Sequence, residues 1–151
     1  MMRYYVMESH ENKSLTVAPK NKSTDVVIAP NFKNIDNVDY DYRNSLISDK
    51  LHTLLSSFLL RFNFESVIYS SSDGSEHAIF WKFNPPIYTD CQASYRNDGI
   101  VSHIAFTNDR APIAFTTCSP KGVRSIVVRM AVAESALRRG ILGLKFTKVT
   151  D

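Results

Sequence analysis

The stretch NIDNVDYDYRN (34–44) concentrates the most distinctive chemistry of the chain, placing Asp36, Asp39, Tyr40, Asp41, Tyr42 and Arg43 within eight residues. Carboxylates at that density offer charge complementarity, and tyrosine supplies contact area at small entropic cost. The functional reading is a surface that docks a positively charged partner, such as the substrate groove of an RNA- or DNA-cleaving protein. The competing reading is a solvated linker, because neither a helical nor a strand period runs through 31–44.

Nucleophilic chemistry would have to start from Cys91, Cys118 and the four histidines, His10, His52, His77 and His103. No local signature joins a cysteine to a histidine. The two cysteines are too few for a disulfide scaffold and are not spaced as zinc ligands. There is no His-Glu-x-x-His, no Gly-x-Ser-x-Gly and no glycine-rich phosphate cradle, with five glycines scattered singly. The sequence therefore predicts no catalytic residue, no metal and no cofactor. From Lys121 to Lys148, in the basic C-terminal third, seven basic residues (Lys121, Arg124, Arg129, Arg138, Arg139, Lys145, Lys148) face one acid, Glu134. That bias supports an alternative, a small nucleic-acid-binding or adaptor module, although Arg138 and Arg139 at a helix C-terminus already have a structural explanation in the helix dipole.

The elements that must position these residues follow from periodicity and turn chemistry. Strands are expected at 3–9 and 25–30, the second stopped by Pro30. Leu51, Leu54, Leu55, Phe58, Leu59 and Phe62 line one helical face, predicting a helix of about 46–60 capped by Ser48 or Ser45. Asp-Gly turns at 73–74 and 98–99 separate strands 64–70 from 77–83 and 88–95 from 100–107, and two more strands follow at 113–117 and 124–130. Aromatics on both faces of 77–83 mark it as a central strand. A helix over about 131–139, stopped by Gly140, leads into a last strand of about 142–149. The expected fold class is α+β: a mainly antiparallel twisted sheet of about six to eight strands with two principal helices packed on one shared sheet.

At 151 residues the simplest organisation is a single domain, 1–151, with enough apolar sequence to bury a core without staples. A net charge of +3 names no partner by itself, but its distribution is two-ended, since four aspartates oppose one arginine over 36–49. No stretch is apolar enough for a signal-peptide core or a membrane span, so a cytoplasmic location is expected.

Several segments together carry a likeness. The aromatic first strand RYYVME, the helix SLISDKLHTLL feeding a strand, the mid-chain TDCQASYR and the closing AVAESALRRGILGLKFTKV resemble the immunity proteins of bacterial contact-dependent growth inhibition and related polymorphic toxin systems. The closing pattern of helix, glycine and Gly-Leu-x-Phe falls here on Gly143, Leu144 and Phe146, with Val149 as the hydrophobic end. The resemblance implies an antitoxin without catalytic activity. It would bind one cognate toxin domain, commonly a nuclease, and block it.

Overall fold

The computed structural model describes residues 2–9, 26–29, 32, 35, 38–141 and 143–151. Asp25, Pro30, Asp36, His10 and the start of the expected last strand at 142 lie outside the described residues. Two helices and eleven strands occur among the described residues, in sheets that are mostly antiparallel, so the α+β class holds. No helix among them is long and apolar enough to cross a membrane.

The chain forms two compact units, one from Met1–Glu8, Asn84–Gly140 and Lys145–Asp151, the other from Ser9–Phe83 and Ile141–Leu144. In the first, β1 (Tyr4–Ser9), β9 (Ala114–Cys118), β10 (Arg124–Arg129) and β11 (Leu144–Lys148) make a four-stranded sheet in the order β11-β1-β10-β9. A hairpin of β7 (Cys91–Tyr95) and β8 (Val101–Phe106) turns at the second Asp-Gly. Tyr4, Val6, Phe115 and Val127 from the sheet, Val101 and Ile104 from the hairpin, and Val149 form one apolar core. The final strand thus reaches the core by pairing beside β1. Helix α2 (Met130–Arg138) follows β10 directly, lies against it, and ends at Gly140, whose φ of 67° admits glycine without a Cβ penalty.

The second unit is a five-stranded sheet, β2-β5-β6-β4-β3, built from β2 (Val26–Ile28), β3 (Tyr40–Asp41), β4 (Leu46–Ser48), β5 (Glu65–Ser70) and β6 (His77–Lys82). Only the β2–β5 pair is parallel. As its aromatic content predicts, β6 is internal. Val67, Tyr69 and Phe80 point to one face and are buried with Val27, Leu46, Phe32, Ile35 and Val38. On the other face, helix α1 (Asp49–Phe58) lies against β4 and β6 and buries Leu51, Leu54 and Leu55.

The structure differs from the sequence expectation in three respects. The strands divide among three sheets instead of one, and the two helices belong to different sheets, because β5 after α1 bonds to β2 and β6 while β11 after α2 lies beside β1. Helix α1 starts three residues later than expected, since Leu46–Ser48 pair with β6 as a strand and Ser48 is the cap. It also ends at Phe58, so Leu59 and Phe62 lie beyond it and, with Phe58, are only half-buried.

Leu54, fully buried on α1, anchors the helix to its sheet. Replacing it by alanine should cost about 2–5 kcal/mol by urea denaturation. An unchanged midpoint would contradict the packing described.

Candidate functional site

Segment 38–48 is ordered by its carboxylates. The Asp39 carbonyl accepts the Ser48 N–H at 2.8 Å. The Asp39 Oδ1 accepts the Ser48 hydroxyl at 2.9 Å, and Oδ2 accepts the Gly143 N–H at 2.9 Å. Ser48 Oγ in turn accepts the Leu51 N–H at 3.2 Å, the capping bond that opens α1. A Cβ at Gly143 would overlap the Asp39 side chain, so the close approach of the two segments needs glycine there.

Asp41 has no exposed surface. Its Oδ1 accepts the N–H groups of Arg43 and Asn44, at 3.1 and 3.4 Å, and its Oδ2 accepts the Asn44 amide at 2.7 Å. This is the side-chain-to-backbone pattern by which aspartate shapes a turn. Ser45 completes the turn at a φ of 54°. Burial, followed by the nearby Asp41 and Tyr42, pushes the Tyr40 phenol far above its ordinary range, and burial, followed by Asp41, does the same for Tyr69.

Of the six residues expected to bind a partner, Asp36 lies outside the described residues. The expectation of an exposed loop is corrected for the rest of the segment. Tyr40 and Asp41 form β3 and are buried, and Asp39 is half-buried in the bonds just described. Only Tyr42 and Arg43 face solvent, Tyr42 with 41% of its surface exposed. Arg43 Nε donates to the Tyr42 hydroxyl at 3.2 Å, and its guanidinium carbon sits 5.8 Å from the Tyr42 ring centroid. That bond holds the guanidinium more firmly protonated than usual. The inward turn was detectable in one signal: Phe32, Ile35 and Val38 recur every third residue, and all three are in the core.

A second surface feature escaped sequence reasoning. Val26, Ile68 and Ile79 lie in register across β2, β5 and β6, and all three are exposed, Val26 at 53%. Alternation in DVVIAP separates Val26 and Ile28 from Val27, but every one of these residues is apolar, so the outer face could not be recognised from residue type.

Of the nucleophile and base candidates, His52, His103, Cys91 and Cys118 have structural partners, with His103 Nε2 lying 3.0 Å from Asp151 Oδ1. His52 stacks on the Trp81 indole, centroids 3.7 Å apart and planes 8° apart, with Phe64 edge-on at 4.7 Å. Ser56 Oγ lies 3.2 Å from His52 Nε2, but its hydroxyl donates to the His52 carbonyl at 2.7 Å. The backbone carbonyl is thus the nearer acceptor for that hydroxyl. Trp81 Nε1 donates to Asp49 Oδ1 at 2.8 Å. Both thiols are free and donate to backbone carbonyls, and burial followed by Asp90 pushes that of Cys91 up. Of the basic C-terminal third, Arg129 donates to the Tyr4 hydroxyl and the Ala111 carbonyl, Lys121 donates to the Asn97 carbonyl, and Arg138 closes α2. Among the described residues, no three histidine, cysteine, aspartate or glutamate side chains converge as metal ligands.

Neither the family models nor the curated proteins compared with this chain contain a match.

Two outcomes are expected. Gly143→Ala should destabilise the protein by about 1–3 kcal/mol through overpacking. Its cost should shrink in an Asp39→Gly background, where the obstructing side chain is gone. Denaturation of the two single variants and the double variant would contradict the contact if the two costs simply add. Burial, partly offset by Asp49, lowers the His52 pKa from its ordinary 6.5, so the unfolded chain takes up a proton first as pH falls. Stability linked to this group is therefore intact above the ordinary value, declines as pH drops through it, and levels off below the folded value. The difference in urea midpoint between wild type and His52→Gln should shift in that window. A difference independent of pH would contradict it.

Proposed function

We propose that this chain is a binding protein that captures and neutralises a cognate toxin domain, a nuclease delivered by contact-dependent growth inhibition, in the cytoplasm of the cell that makes it. It performs no catalysis of its own and blocks the partner by covering its surface. The resemblance of the first strand, the α1 segment and the Gly143-Leu144-x-Phe146 close to such immunity proteins supports this reading.

The observation that carries it is the Tyr42–Arg43 tip. Tyrosine and arginine dominate the binding energy of protein interfaces. Here the pair sits at the end of a turn whose conformation a buried carboxylate already holds, so docking loses little further conformational entropy. The stripe of Val26, Ile68 and Ile79 in the same unit adds exposed apolar area of the kind that interaction surfaces carry.

The test is titration against the purified C-terminal domain of a large secreted protein encoded directly upstream. Wild type should bind it and suppress its nuclease activity. Tyr42→Ala should weaken binding roughly 30-fold, equivalent to about 2 kcal/mol, with an unchanged melting temperature. No binding by the wild-type protein would sink the reading.

A further inference from the structure

We infer that the partner surface met by the Tyr42–Arg43 tip is acidic, with a carboxylate positioned to accept the Arg43 guanidinium. This inference rests on the toxin-binding reading and reverses the charge that the aspartate-rich sequence implies for the partner.

The two described acids of this segment, Asp39 and Asp41, are not presented outward. Asp41 is wholly buried and accepts three N–H groups from its own turn. Asp39 has one oxygen on the Ser48 hydroxyl and the other on the Gly143 N–H. A basic partner docking here would find no carboxylate of either residue free to meet it.

What the turn does present is a cation. Arg43 is exposed, and the one hydrogen bond that its side chain makes among the described residues leaves from Nε, which orients the guanidinium against Tyr42. Neither of its Nη groups donates to an acceptor among the described residues. An arginine fork held in this way matches a carboxylate in two parallel bonds. Covering it with a surface lacking an acceptor would strand a desolvated charge, which is strongly unfavourable. The anion expected is a protein carboxylate more than a nucleic-acid phosphate, because a phosphate backbone is followed by a track of several cations, whereas the tip offers one arginine beside an aromatic contact.

The experiment measures affinity for the purified upstream-encoded toxin domain with wild type, Arg43→Lys, Arg43→Gln and Arg43→Glu, at low and high salt, alongside melting curves. Arg43→Gln should bind roughly tenfold more weakly and Arg43→Glu roughly 100-fold more weakly, with Arg43→Lys between wild type and Arg43→Gln. Wild-type affinity should fall with added salt, and the fall should be smaller in Arg43→Gln. If wild type binds the domain and Arg43→Glu binds as well or better, the acidic-partner inference fails while the toxin-binding reading stands. If wild type does not bind the domain, both fail. Binding of generic duplex DNA or RNA with the same dependence on Arg43 would overturn the inference in favour of phosphate.

Discussion

The Asp39 carboxylate holds the smaller-scale architecture of its unit in place. Each oxygen serves a different segment: one receives the Ser48 hydroxyl, the other the main chain at Gly143. Through Ser48 the effect continues to the first free N–H groups of α1, so the same carboxylate that brings residue 143 close also fixes where the helix begins. Once the helix starts at Asp49, its 3.6-residue period sends Leu51, Leu54 and Leu55 inward and lays His52 over Trp81. The absence of a side chain at Gly143 is the steric counterpart of this arrangement.

Asp41 performs a parallel task one strand residue later. Burying a carboxylate is tolerable when donors surround it, and here the donors are the N–H groups of the turn it creates. The segment thereby places Asp39 and Asp41 where they organise backbone and leaves Tyr42 and Arg43 outside. Alternation along β3 cannot by itself produce this pattern, since Tyr40 and Asp41 are both buried. The turn after β3 releases Tyr42 and Arg43 to solvent. A rigid tip with one aromatic ring and one guanidinium suits recognition of another protein, as the immunity-protein reading requires.

Much of the secondary structure was legible in the sequence, because it rests on local signals. The helical face from Leu51 to Leu55, the Asp-Gly hairpins and the Gly140 stop each depend on residues a few positions apart, and each is found. Sheet membership was not legible, since which strand pairs with β5 or lies beside β11 is decided by segments distant in sequence. The candidate site shows the same limit more sharply. Asp39 and Asp41 looked like surface acids because density of charge usually means solvation, yet the Asp39 partner at Gly143 lies 104 positions away and no local pattern announces it. Tyr42 and Arg43 kept the exposure expected of them because nothing apolar in the turn competes to cover them.

Amide hydrogen exchange at Arg43, Asn44 and Gly143 tests the inward role of the two carboxylates most directly, and needs no partner. All three N–H groups lie outside regular helix and strand, yet the bonds to Asp41 and Asp39 predict exchange much slower than in an unstructured chain, with Gly143 losing its protection in Asp39→Ala. Exchange at the unstructured rate in the wild-type protein would mean that the carboxylates face solvent after all, and the account of a turn built around them would be contradicted.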